Sequence, residues 1–168
     1  MEEFKKIDGY ENYEVSNLGN VKNTKTNRIL KPQKNRGYYN VDLYKNGIKQ
    51  TLIIHRLVGY AFIPNPENLR EIDHIDRDRT NNSISNLRWV SRSNNNRNKP
   101  KKQNTSSKYM GVSFNKAKRK YRAQIRIENK QIHIGYYEKE EDAAKARDAY
   151  VKEHNLTEFC QLNFPDNS

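Results

Sequence analysis

Residues 97–108, RNKPKKQNTSSK, hold one proline, four lysines, two serines and no large apolar side chain. Such a run cannot bury itself and reads as a basic tether, so the chain on either side must find its own core. Apolar residues make up only 33 % of the 168, against 31 % charged, too few for one thick domain of this length. Aromatic residues reach 10 %, with eleven tyrosines, which separates the chain from a disordered polyelectrolyte. The expected class is therefore α+β in small modules. These are a β-rich N-terminal segment at 1–54, a central segment at 55–98, a basic linker at 99–108, and a C-terminal module at 109–165.

The formal net charge is +12. Nine basic and no acidic residues fall in 99–122, whereas 123–168 carries an acidic excess. A concentrated positive stretch of this kind points to a polyanion, with nucleic acid first. A membrane surface fits less well, because no basic helix shows a broad apolar face. The opening MEEFKKIDGY lacks the apolar stretch of a secretory signal. The chain is accordingly expected inside a cell, in host cytoplasm, nucleoid or nucleus, with no obligate protein partner evident. One cysteine, Cys160, allows neither an internal disulfide nor a thiolate zinc site, and reads as a small buried hydrophobe.

Short alternating runs dominate residues 1–54: Tyr13–Val15, Arg28–Leu30, Tyr39–Leu43 and Thr51–Ile54. Asn46-Gly47 between the last two signals a tight hairpin. HRLVGYAF at 55–62 reads as a short helix stopped by Pro64 and Pro66. Beyond the linker, three strand-length runs (109–114, 121–127 and 131–137) precede an Ala-rich helix at about 139–154. Glu128-Asn129-Lys130 makes the last turn between strands, and Ala143, Ala146 and Tyr150 recur at helical spacing as the expected packing face.

The chemistry concentrates in EIDHIDRDRTNNSISNLRWVSRSNNN, residues 71–96. A hard divalent cation needs oxygen ligands, which Asp73 and an Asn amide supply. Hydrolysis of a phosphodiester needs a base near neutral pH, and His74 has the suitable side chain. Asp76 and Asp78 lie in the following loop, where a turn-forming role is expected. Trp89 reads as core, and His55 as a packing or capping histidine.

This string resembles the HNH motif of phage and intron-borne homing endonucleases, in which Asp-His, an Asn before a Leu-Arg-Trp strand, and a final Asn or His on a helix recur. The matching positions are Asp73-His74, Asn86 and Asn95. The resemblance implies a β-β-α metal fold, with one Mg²⁺ or Mn²⁺ on Asp73 and Asn95 and His74 as general base. It gives Asn86 the task of fixing either His74 or the loop. Asn95 is chosen over Asn94 and Asn96 by its spacing from Trp89 in the family. The N-terminal FKKIDGYENYEV likewise resembles the module that often precedes such nucleases, with Phe4 where that module has Trp.

In the C-terminal module, strand alternation puts Arg122, Gln124 and Arg126 on one face and Ala123, Ile125 and Ile127 on the other. Arg suits guanine edges and Gln adenine edges, so this face is a candidate for double-stranded DNA. Lys116, Lys118, Arg119 and Lys120 suit phosphates, and His133 lies on the neighbouring strand. The pieces YMGV, AQIR, IGYY, AAKARDAY and LNFP resemble, in order, the Apetala-type (ethylene-response-factor) DNA-binding domain. That resemblance implies a three-stranded antiparallel sheet, packed on one helix, that enters the major groove. Ser113, Asn115 and His133 depart from the plant contact residues, so the plant target does not transfer. The expected whole is a metal-dependent, site-specific DNA endonuclease. The alternatives are a non-catalytic DNA-binding regulator and an RNA-binding or structural nucleoid protein.

Overall fold

The computed structural model describes residues 1–98, 106–127 and 130–165. The expected 99–108 linker and the 128–130 turn therefore lie largely outside the described residues. The chain divides into two compact units, Met1–Ser91 and Arg92–Ser168.

In the first unit, β1 (Phe4–Ile7), β2 (Tyr10–Ser16), β3 (Val21–Asn23) and β4 (Arg28–Ile29) form an antiparallel meander in chain order. A second sheet joins β5 (Gln33–Asn35), β6 (Tyr38–Lys45) and β7 (Ile48–Ile53). Asn46 and Gly47 turn β6 into β7 with φ of 52° and 78°, the two positive values that a type I′ hairpin requires. The chain passes from β7 straight into α1 (Ile54–Phe62), which ends at Ile63 ahead of Pro64. Then come β8 (Glu71–His74), a 3-10 turn at Ile84–Asn86, and β9 (Leu87–Val90), antiparallel to β8.

One buried cluster holds these parts together. Val15 and Val21 of the first sheet and Val41 and Leu43 of the second join Ile54, Leu57 and Val58 of α1, and Ile72 and Leu87 of the β8–β9 ribbon. The expected boundary at residue 54 thus falls inside a shared core. The short ribbon has too little apolar surface to stand alone and draws on the sheets before it. Close approach is needed at one point: a Cβ on Gly59 would lie 2.2 Å from Ile72 Cδ1, so α1 rests on β8 through a bare backbone.

The second unit begins with α2 (Arg92–Asn98). Its main body is an antiparallel sheet of β10 (Val112–Asn115), β11 (Lys120–Ile127) and β12 (Lys130–Tyr137), with α3 (Glu140–Glu153) packed against it. Glu140, Glu141 and Asp142 occupy the first turn of α3, where the helix dipole favours them. The buried stripe of α3 is Ala143, Ala144, Arg147, Asp148 and Val151, whereas Ala146 and Tyr150 are only half-buried. It is rotated from the expected stripe because two of its members are polar. Asp148 accepts backbone N–H bonds from Asn163 (2.6 Å) and Phe164 (2.8 Å), pinning the LNFP segment to the helix. Arg147 pairs with Asp148 at 2.9 Å and also donates to the Gln161 carbonyl. Cys160 is buried, as expected. Among the described residues no helix is long and apolar enough to cross a membrane.

Candidate active site

Asp73 and His74 end strand β8, paired with Arg88 and Leu87 of β9. Both are buried, at 7 % and 5 % exposure. A carboxylate so placed needs a charged partner, and Arg88 on the facing strand supplies one, its Nη2 donating to Asp73 Oδ2 at 3.2 Å.

The loop that follows is built on Asp76. Its carboxylate accepts from the Asp78 backbone N–H at 2.7 Å, Asn81 Nδ2 at 2.7 Å and Asn86 Nδ2 at 2.9 Å. Burial works against ionisation of Asp76, but these bonds outweigh it and hold the carboxyl below its ordinary range. Asp78 in turn accepts from the Thr80 hydroxyl (2.6 Å) and N–H (2.9 Å). Both acids form turns. Asn86 completes the ring: its Oδ1 accepts the Asp76 N–H at 3.0 Å, its Nδ2 also donates to the Asn81 carbonyl, and its own carbonyl accepts from Ile75. Of the two tasks considered for Asn86, these contacts serve the loop.

A different asparagine meets the histidine. Asn82 is 5 % exposed, and its Oδ1 lies 3.2 Å from His74 Nε2. Sequence reasoning missed it, because in Asn81-Asn82 nothing in spacing separates a loop amide from a buried partner. His55, expected as a packing or capping histidine, packs against the His74 ring. It sits in the first turn of α1, 7 % exposed, with its ring edge-on to His74 at 4.9 Å between centroids. Tyr38 of β6 adds a third ring, 5.2 Å from His55 and 6.1 Å from His74, and the Arg79 guanidinium covers Tyr38 at 4.9 Å. Among the described residues the buried Nδ1 of His55 has no hydrogen-bond partner. Burial first, then the charges of His74 and Arg56, push its pKa down to about 3, so its ring is neutral at physiological pH. Trp89 packs partly buried against the same core and donates from Nε1 to the Ile63 carbonyl at 3.0 Å.

Asn95 lies on α2. Among the described residues no three His, Cys, Asp or Glu side chains gather as a ready-made metal cage. Asp73 offers a single carboxylate, a donor set that fits a Mg²⁺-like ion, which keeps most of its waters and shares its shell with a substrate phosphate.

In the second unit, register puts Ser113 opposite Arg122, Gln124 opposite His133, and Arg126 opposite Gln131, all on the face away from Ala123 and Ile125. Arg126 and His133 are exposed, and Gln131 Nε2 donates to Gln124 Oε1. Arg122 is half-buried, and among the described residues its Nε has no partner. Lys116, Lys118 and Arg119 are exposed in the β10–β11 turn, with Lys118 Nζ 4.0 Å over the Tyr136 ring, which itself lies 4.5 Å from His133. Lys120 pairs with Glu138 at 2.8 Å. Arg122, Gln124, Arg126 and His133 thus share one face, bordered by the basic turn.

Residues 53–97 match the HNH endonuclease family, and residues 2–44 match the NUMOD4 motif. DNA endonuclease I-HmuI of Bacillus phage SP01 is 42 % identical over 90 residues, covering 52 % of each chain. H-N-H endonuclease F-TflII of Escherichia phage T5 is 37 % identical over 90 residues, covering 52 % of this chain and 47 % of that one. The uncharacterized HNH endonuclease L245 of Acanthamoeba polyphaga mimivirus is 42 % identical over 87 residues, or 52 % of this chain and 26 % of that one. The chain therefore spans from about a quarter to about half the length of these curated relatives. A solved structure, titled "DNA binding and cleavage by the HNH homing endonuclease I-HmuI", aligns with a TM-score of 0.49 at 42 % identity over 53 % of this chain and 52 % of that one.

Proposed function

We propose that this chain is a metal-dependent, site-specific DNA endonuclease of the HNH homing type, hydrolysing phosphodiester bonds at the Asp73-His74 site. The observation that carries the reading is the buried Asp73–His74 pair at the end of β8, held by Arg88, Asn82 and the ring of His55, inside the segment that matches HNH endonucleases. The relative named as a DNA endonuclease supports DNA as the substrate.

In this reading His74 takes a proton from the attacking water. Asp73 would hold one Mg²⁺ or Mn²⁺, with Asn95 as the second ligand that the family spacing implies. When bound, the ion neutralises charge developing on the scissile phosphate and the leaving 3′ oxygen. Arg88 orients the Asp73 carboxylate through the bond from its Nη2. Asn86 holds the loop that frames the site.

We assign the C-terminal sheet, read as an Apetala-type module, to binding of double-stranded DNA. Arg122, Gln124, Arg126 and His133 face base edges, and Lys116, Lys118, Arg119 and Lys120 face phosphates. A non-catalytic regulator would share this surface. Plasmid cleavage separates the two: Mg²⁺-dependent cutting that His74→Ala abolishes while DNA binding persists supports the nuclease, and binding without any cutting supports the regulator.

A further inference from the structure

His74 Nε2 and Asn82 Oδ1 lie 3.2 Å apart, and both residues are 5 % exposed. We propose that Asn82 is a positioning residue for His74, accepting the Nε2–H and thereby keeping the imidazole in the tautomer whose Nδ1 carries the lone pair. The proposal rests on the reading of His74 as the general base. A neutral imidazole has two tautomers, and the bond made by one nitrogen decides which nitrogen can take a proton. Water is a poor substitute partner at such burial, and leaving the buried N–H unpaired has a cost.

The surroundings prepare Asn82 for this role. Asn86 cannot take its place, because its amide is engaged by Asp76 and Asn81. Asn82 is itself set from behind by the β2–β3 turn of the N-terminal meander. A Cβ on Gly19 would stand 2.8 Å from Asn82 Cβ, and Gly19 has φ of +89°, a backbone that favours glycine. The adjoining Asn17 carbonyl accepts the Ile84 N–H at 2.8 Å, tying the same turn to the same loop. The edge-on ring of His55 restricts rotation of His74 from another side. The N-terminal meander thus acts on the base through a single amide.

Two readouts test this on the full chain. The first is the ¹⁵N NMR signature of His74, which distinguishes Nε2–H from Nδ1–H directly. Wild type should show Nε2–H, and Asn82→Leu should lose that bias. The second is cleavage of supercoiled plasmid, with DNA affinity measured separately. Asn82→Leu should lower kcat about 100-fold, the scale of misplacing a reacting group by about an ångström, with DNA affinity unchanged. Asn82→Asp, which keeps an acceptor oxygen, should restore most of the rate. An Nδ1–H tautomer in wild type, or a wild-type kcat in Asn82→Leu, would overturn the assignment. So would equal loss in Asn82→Leu and Asn82→Asp. If Asn82→Leu fails to fold, the wild-type tautomer and Asn82→Asp still decide. Full activity in His74→Ala would instead overturn the base reading on which the proposal stands.

Discussion

His55 carries a pH dependence of stability that follows from its burial. In the folded chain its pKa is held at about 3, against an ordinary 6.5. Below pH 6.5 the unfolded chain binds a proton that the folded chain refuses. The stability this group contributes is therefore complete above that pH and declines as pH falls towards 3. Integrating the two titrations from pH 7.5 to 5.0 gives a loss of about 2 kcal/mol from this one side chain. The assay is urea unfolding followed by fluorescence of Trp89, the chain's single tryptophan, which lies in the same unit. With a denaturant slope of about 2 kcal/mol/M, the midpoint should fall by about 1 M over that pH range. A His55→Phe variant keeps a ring against His74 and removes the titrating nitrogen. Other carboxylates and histidines titrate in both proteins, so the difference between the two pH slopes isolates His55. Equal slopes would refute the argument, since they would mean that His55 is solvated enough to protonate in place.

Other substitutions probe separate parts of the account. Gly59→Ala gains helix propensity of about 1 kcal/mol but drives a Cβ to 2.2 Å from Ile72 Cδ1. Overpacking of about 1–3 kcal/mol should prevail, lowering the Trp89 unfolding midpoint, and adding Ile72→Val should restore part of it. Asp148→Ala leaves Arg147 buried beside it and frees the Asn163 and Phe164 N–H groups, so thermal unfolding by circular dichroism should show a loss of about 3–5 kcal/mol. Arg126→Ala should weaken site preference in a binding competition without altering metal-dependent cutting of DNA already bound. Wild-type affinity should fall steeply with added salt, because phosphate contacts release counterions; an affinity indifferent to salt would contradict the phosphate role of the basic turn.

Local pattern carried much of the fold. Asn46-Gly47 marked its hairpin because few other pairs accept two positive φ values, and the alternation of β11 put Ala123 and Ile125 inward as expected. Contacts between distant segments were not legible. Nothing in residues 1–54 signalled that Val15 and Leu43 share a core with Ile72 and Leu87, because apolar periodicity reports which side of an element is buried and not against what. The face of α3 was misjudged for a related reason. Arg147 and Asp148 are buried as a hydrogen-bonded pair, and periodicity counts only apolar residues. At the site, Asp73 and His74 stood out by chemistry. Asn82 and His55 did not, since their bearing on His74 arises from the fold: one comes from within a polar loop, the other from a helix eighteen residues before Asp73.

The central claim is that the Asp73-His74 site cuts DNA with the aid of a divalent ion. Its most direct test is incubation of supercoiled plasmid with the full chain in Mg²⁺, Mn²⁺ or EDTA, wild type beside His74→Ala. Nicked or linear product is expected with either metal, none with EDTA, and none from the variant although it still binds DNA. Cutting that survives EDTA, or that His74→Ala performs as well as wild type, would contradict the claim.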